Sequence, residues 1–246
     1  MKLISHWQIV VAASFVLILL LLVSCQKENL SDTANEKILS FAVDPKNAKV
    51  DFFLKDEAGN PLKSISNLKN FVERRGEKLR FAMNGGMYEK NNRPKGLFVQ
   101  MGQTVAPLET NAGAGNFYLK PNGVFYLTTD NRAVITQTEN FIDNENIRFA
   151  TQSGPMLISS GAINRQFEEN SNNLNLRNGV GVLPDNTIIF AISRQEINFY
   201  EFARYFQNLG CREALYLDGY VSRMYLPEQN VEQLDGDFAV IIGVTE

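Results

Sequence analysis

Histidine is almost missing from this chain: of 246 residues only His6 is one, and it precedes an apolar N-terminal run. The rest of the chain therefore cannot build a Ser-His-Asp triad, a histidine general base or a histidine-ligated zinc site. Cysteine is nearly as scarce, with Cys25 and Cys211 alone. If Cys25 is modified, as its surroundings imply, Cys211 has no intrachain partner and reads as a small packed side chain rather than a nucleophile. Basic charge is also in deficit, with 24 Lys and Arg against 27 Asp and Glu and a net charge of −3. Without a basic stripe, nucleic acid is excluded as a partner. Any chemistry must come from carboxylates, hydroxyls, amides, arginines and backbone N–H groups.

The N-terminus supplies the address. Lys2 gives a short positive start, and residues 9–23 (IVVAASFVLILLLLV) form an apolar run of 15 residues, where a bilayer span needs about 20. The run ends in Leu22-Val23-Ser24-Cys25, which resembles the lipobox of bacterial lipoproteins, cut before a cysteine that is then acylated. A charged start, an apolar middle and a small residue before the cut also read as an export signal from layout alone. The competing reading is a single anchoring helix, and both place the remainder outside the cytoplasm. Removing residues 1–24 takes away one charge, that of Lys2, and leaves −4. Gln26 after Cys25 resembles outer-membrane sorting in such lipoproteins. Residues 25–40 are polar and unpatterned, a tether between membrane and domain. Residues 41–246 then suffice for one domain with a sizeable core.

Within that domain short strand-like runs dominate: 50–54, 79–83, 97–101, 116–120, 124–127, 133–137, 156–159, 180–183, 187–192, 214–217 and 238–244. Each is bounded by Gly, Pro, Asn or Asp. Two hairpins are predicted, through Pro121-Asn122-Gly123 and Pro184-Asp185-Asn186. Two helices are expected. In NFYEFARYFQNLG, residues Phe199, Phe202, Ala203, Phe206 and Leu209 share a face, with Asn198 as cap, Glu201 three residues on and Gly210 at the stop. In SNLKNFVERRG, Leu68, Phe71 and Val72 face inward and Gly76 ends the run. The expected fold class is α+β (mixed α/β), a β-rich single domain with a large mixed sheet flanked by a few helices.

Polar, glycine-rich punctuations recur at strand ends. Asn84-Gly85-Gly86 follows a strand, and paired glycines let backbone N–H groups approach an anion; an ordinary turn is the alternative. Gln152-Ser153-Gly154 precedes a strand, and so does Arg177-Asn178-Gly179. The fourth is LYLDGYVSRMY, in which the apolar strand 215–217 breaks at Asp218-Gly219 and then offers Ser222 and Arg223. A helix feeds that strand, and ligands commonly bind at such a carboxyl end. Arginines such as Arg177 and Arg223 suit a two-point grip on phosphate or carboxylate. Asp218 is the carboxylate that glycosidic chemistry demands, as acid or nucleophile.

The stretches AMNGGMYEKNNRPKGLFVQ, GNFYLKPNGVFYL, ATQSGPMLI, RNGVGVL and FYEFARYFQNLGCREALYLDG occur in this order, and together they resemble the phosphodiester glycosidase family. This is the family of the lysosomal uncovering enzyme, which removes N-acetylglucosamine from a phosphodiester linkage, and the nearest resemblance is to its bacterial exported branch. The resemblance covers essentially all of 41–246. It implies a site built from Asn84, Gly85, Gly86, Gln152, Ser153, Gly154, Arg177, Asn178, Asp218, Gly219, Ser222 and Arg223. Relatives like the uncovering enzyme read Asp-Gly-Gly-Gly-Ser-Ser where this chain reads Asp218-Gly219-Tyr220-Val221-Ser222-Arg223, so larger side chains occupy space that glycines leave open.

The expected activity is hydrolysis of a sugar 1-phosphodiester or related phosphorylated glycan, by a protein held in the envelope through a lipid on Cys25. Asp218, Asn84 and Ser222 are the catalytic candidates, and Gly85, Gly86, Gln152, Ser153, Gly154, Arg177, Asn178, Gly219 and Arg223 the binding ones. The alternatives are a tethered protein that captures an anionic glycan without turnover, and a structural lipoprotein whose strand-end glycines are plain turns. Asp218 with amide and carbonyl oxygens also suits a hard cation such as calcium, though no spacing requires one.

Overall fold

Alternation of large apolar and polar residues drives most of the chain into short strands, which meet around one aromatic core. The computed structural model describes residues 37–246 except Tyr220, so the signal segment, Cys25 and most of the expected tether lie outside the described residues. The residues Leu39–Glu246 form one unit.

Three sheets carry the fold. The first holds, in spatial order, β1 (Ile38–Val43), β14 (Ile188–Ser193), β13 (Asn178–Val182), β15 (Glu213–Tyr216), β11 (Met156–Ser159) and β12 (Ala162–Ile163). The second holds β7 (Gln103–Ala106), β6 (Phe98–Gln100), β10 (Ile147–Ser153), β8 (Gly123–Thr128) and β9 (Ala133–Gln137). The third holds β17 (Val231–Glu232), β16 (Met224–Leu226), β3 (Leu79–Asn84), β18 (Ile241–Thr245) and β2 (Lys49–Phe53), and β4 (Tyr88–Glu89) pairs with β5 (Arg93–Pro94) apart from them.

The expected β-rich single unit with a few helices is present, but not as one large mixed sheet. β13 is antiparallel to both β14 and β15, and the second and third sheets are built from antiparallel pairs. β14 and β15 therefore run the same way, with β13 between them. The helix α2 (Phe199–Asn208) makes the crossover. That keeps the local strand–helix–strand reading while β13 stays antiparallel to both its neighbours.

Both helices form where their apolar spacing and caps place them. Asn198 Oδ1 accepts the Glu201 N–H at 2.8 Å and starts α2, which buries Phe199, Phe202, Ala203 and Phe206. Leu209 lies just past its end and is 41 % exposed. The other helix, α1 (Ile65–Arg74), is capped by Ser64 and buries Ile65, Leu68, Phe71 and Val72 against Leu79, Ala82 and Ile241 of the third sheet.

The sheets share a core of phenylalanines. Phe81 of β3 stacks on Phe190 of β14 at 5.1 Å, Phe190 meets Phe125 of β8 edge-on at 6.1 Å, and Phe52 of β2 lies 5.4 Å from Phe125 and 5.5 Å from Phe149 of β10. Each buried ring contributes roughly 1.5–3 kcal/mol by leaving water, with about 0.5–1.5 kcal/mol more per well-set pair.

Three expectations change. Residues 116–120 are no strand: Asn116–Tyr118 is a single 3-10 turn, closed when Asn122 Nδ2 donates to the Phe117 carbonyl at 3.0 Å. The predicted hairpin through Pro121-Asn122-Gly123 is therefore absent, and β8 pairs with β9 and β10 instead. The central strand β10 was not among the expected strands. The chain also enters a strand at Ile38, inside the stretch read as tether. The hairpin through Pro184-Asp185-Asn186 forms as predicted, joining β13 to β14 with Asn186 left-handed at φ 79°.

Candidate functional site

Two asparagines at the ends of strands from different sheets build the centre. Asn84 ends β3 in the third sheet and Asn178 begins β13 in the first; both are buried. Their side chains interlock: Asn178 Nδ2 donates to Asn84 Oδ1 at 3.0 Å and to the Asn84 carbonyl at 3.1 Å. What remains of each amide goes to the chain around Asp218. Asn84 Nδ2 donates to the Asp218 carbonyl at 2.9 Å, and Asn178 Oδ1 accepts the Asp218 N–H at 2.7 Å. Asn84 Oδ1 also accepts the Arg223 N–H at 3.1 Å. The pair thus fixes both peptide groups of Asp218 and the return of the chain at Arg223, and leaves the Asp218 side chain partly exposed.

Two hydroxyls brace the same segment. Ser153 Oγ, at the end of β10, donates to the Leu217 carbonyl at 2.6 Å, and Ser222 Oγ donates to the Asp218 carbonyl at 3.1 Å. The three sheets therefore meet at Leu217-Asp218. Asn84, Ser153, Asn178, Asp218, Gly219 and Ser222, four segments far apart in sequence, come together at one point.

Tyr216 lies beneath this turn. Its hydroxyl accepts the Gly219 N–H at 2.7 Å, and a Cβ on Gly219 would stand 2.1 Å from the Leu176 carbonyl, so only glycine fits. Burial raises the Tyr216 phenol above its ordinary range, and the facing Arg177 guanidinium opposes that rise while Asp218 adds to it. The Arg177 side chain is 1 % exposed; its Nε donates to the Ile197 carbonyl at 3.1 Å, its Nη2 donates to the Asn173 carbonyl at 2.8 Å, and its guanidinium lies 3.7 Å from the Phe199 ring centroid. Burial holds its pKa below the ordinary arginine value against the pull of Tyr216. Tyr216 escaped the sequence reading because a tyrosine in LYL looks like core. The signal was its place three residues before a glycine that no other residue could replace.

The remaining candidates lie elsewhere or face inward. Gln152 points to the opposite face of β10 from Ser153. There Oε1 accepts the N–H groups of Leu97 (3.0 Å) and Glu109 (2.9 Å), while Nε2 donates to the Glu109 carbonyl (2.7 Å) and Thr138 Oγ1 (3.2 Å). Gln152 is thus a buried clip for two loops. Gly154 is packed against Phe117 and Asn122. The Arg223 guanidinium turns outward, gripping both carboxylate oxygens of Asp235 at 2.7 and 2.8 Å. The Gly85 N–H donates to the Val240 carbonyl at 2.8 Å, a Cβ at Gly85 would meet Ile242 at 2.7 Å, and one at Gly86 would meet Thr151 Oγ1 at 2.6 Å. Their role is close approach of chain to chain. The amide oxygens of Asn84 and Asn178 beside Asp218 already accept N–H groups. Among the described residues no group of three His, Cys, Asp or Glu side chains assembles.

Tyr88 completes the neighbourhood. Its phenol is raised first by burial and then by the charges of Asp218 and Asp237.

The sequence model of the phosphodiester glycosidase family matches residues 77–242. The uncharacterized protein YigE of Escherichia coli (strain K12) is 35 % identical over 190 residues, 77 % of this chain and 74 % of YigE. The auto-inhibited catalytic domain of zebrafish N-acetylglucosamine-1-phosphodiester alpha-N-acetylglucosaminidase has a similar fold (TM-score 0.51, 14 % identity, 85 % of this chain and 88 % of that one). So does a Burkholderia pseudomallei protein described as a candidate exported protein (TM-score 0.53, 13 % identity, 84 % of this chain and 73 % of that one).

Proposed function

The chain belongs to the phosphodiester glycosidase family, a family of hydrolases, and from that premise we propose that it cleaves a sugar 1-phosphodiester or a related phosphorylated glycan at the cell envelope. Asp218 is the reacting carboxylate, acting as nucleophile or acid at the anomeric carbon. The bond from that carbon to the phosphate oxygen breaks, water supplies the new hydroxyl, and its second proton leaves with the phosphomonoester. Phosphate is a good leaving group, so one well-placed carboxylate does more here than in ordinary glycoside hydrolysis, where two are required. Asn84, Asn178, Ser153, Ser222 and Tyr216 are positioning residues, because each holds the chain on either side of Asp218 rather than open space.

The observation that carries this reading is the interlocked Asn84–Asn178 pair, which fixes both peptide groups of a partly exposed aspartate at the meeting of three sheets. Such rigid orientation is what preorganised catalysis needs. Export and a lipid on Cys25 are supported by the lipobox-like N-terminus, and export also by the description of the Burkholderia protein as an exported one. The test is Asp218→Asn assayed on a panel of sugar 1-phosphodiesters, with its melting temperature measured alongside. Loss of at least a thousandfold in kcat at an unchanged melting temperature is expected. Full turnover in this variant would remove Asp218 from the chemistry, and ligand-dependent melting shifts without any sugar release by the wild type would make the protein a binder.

A further inference from the structure

The arginines nearest the Asp218 turn are both committed elsewhere, Arg177 beneath aromatic rings and Arg223 to Asp235, and the Gly85 N–H is spent on the Val240 carbonyl. A phosphoryl group at this rim still needs a cation. Lys95 is placed to supply one.

Its backbone is pinned on both sides. The Lys95 N–H bonds the Met87 carbonyl at 2.9 Å, and the next residue, Gly96, has φ +76° with room for no side chain, since a Cβ there would lie 2.3 Å from Gln152 Oε1. The partly buried Lys95 side chain rests on aromatic faces, its ammonium 4.6 Å from the Tyr118 ring centroid and 5.4 Å from that of Phe117. Among the described residues no carboxylate lies within ion-pair distance of it. Lys49, Lys63, Lys69 and Lys78 each pair with an acidic side chain, and Lys46, Lys55, Lys90 and Lys120 are exposed, whereas Lys95 is partly buried. The rings orient the ammonium without neutralising it, so its charge and its three donors stay available to an anion.

Packing ties this group to the Asp218 rim. Pro94, just before Lys95, pairs with Tyr88, whose phenol is raised first by burial and then by the charges of Asp218 and Asp237. Phe117, under the ammonium, has its carbonyl 2.8 Å from where a Cβ on Gly154 would stand, and the adjoining Ser153 holds the Leu217 carbonyl.

We propose that Lys95, seated on Tyr118 and Phe117, is the anion subsite of this centre and takes the phosphoryl group of the substrate. The proposal rests on the reading of the Asp218 site as one for a phosphorylated glycan. Gly113 bears on the same ring: a Cβ there would lie 2.4 to 2.6 Å from Tyr118 ring atoms, so the ring's position depends on a glycine in the loop.

Calorimetric titration of the full-length protein with inorganic phosphate, at constant ionic strength, tests it. Lys95→Met should weaken phosphate binding at least tenfold, Lys95→Arg should keep most of it, and Asp218→Asn should bind phosphate as well as the wild type or better. Gly113→Ala should weaken binding through Tyr118, while Lys120→Met, a nearby loss of charge, should leave it unchanged. Wild-type affinity in a folded Lys95→Met protein, or no phosphate binding by the folded wild type, overturns the subsite. If Lys95→Met binds normally while the wild type still cleaves a sugar phosphodiester, the subsite falls and the hydrolase reading stands. If binding depends on Lys95 but no sugar is released, the subsite stands and hydrolysis falls.

Discussion

Asn84 was expected to touch substrate, yet every polar atom of its side chain is spent on protein. Its amide nitrogen serves Asp218, and its oxygen serves Asn178 and Arg223. Truncation strands those partners in a buried setting, where each unsatisfied group costs roughly 1–3 kcal/mol, less any water that reaches it. Asn84→Ala should therefore destabilise the protein by about 2–4 kcal/mol in urea unfolding. Asn84→Asp should fare no better, because it turns an acceptor toward the Asp218 carbonyl. A residue that only touched ligand would leave the unfolding midpoint where it was. Cys211, by comparison, is inert: burial pushes its thiol up to about 12, which fits a packing residue.

At the scale of elements, one carboxylate ties two strands of the third sheet. Glu77, between α1 and β3, accepts from Lys49 Nζ of β2 and from Thr245 Oγ1 of β18, both at 2.8 Å. The hydrogen bond from Lys49 holds its carboxyl below the ordinary 4.5, helped by Thr245. A carboxyl depressed by folding stabilises fully above its unfolded value, and the benefit is lost as pH falls through its folded value. Exposed pairs of this kind contribute about 0.2–1 kcal/mol, so Glu77→Gln should lower the melting temperature by a few degrees at pH 7. The gap should shrink as melts are taken at steps below pH 4.5. A gap that persisted undiminished at pH 2 would mean the side chain acts by packing.

Elements were legible where one local rule governs. The cap at Asn198, the helical spacing after it and the Pro184-Asp185-Asn186 turn each act within a few residues, and α2 and the β13–β14 hairpin follow. β10 was missed because its sequence, IRFATQS, carries Arg148, Thr151, Gln152 and Ser153. Gln152 and Ser153 suit a buried central strand only because distant loops and the Leu217 carbonyl satisfy them. The 116–120 run failed for the reverse reason: Phe117 and Tyr118 have strand-like chemistry, but the Asn122 side chain closes a turn there. The site was legible as a set of strand-end turns. Which of its members face a ligand and which hold one another was not, since that depends on side-chain partners such as Tyr216 and Asp235 that no spacing reveals.

For the whole molecule the phenylalanine core is the common element of the three sheets. Phe190 touches Phe81 of the third sheet and Phe125 of the second. Phe190→Ala should cost about 3–5 kcal/mol. Because the ring joins all three sheets, the loss should appear as one earlier transition, coincident in far-ultraviolet and near-ultraviolet circular dichroism. Two separated transitions would show that the sheets unfold as independent bodies.

The interlocked asparagines have a consequence for how this protein ages, heats or is cut. Each is the terminal residue of a strand in a different sheet, so the grip on Asp218 exists only while both sheets stay in register with each other. No loosened intermediate keeps the carboxylate aimed; the pocket and the fold are dismantled in the same event.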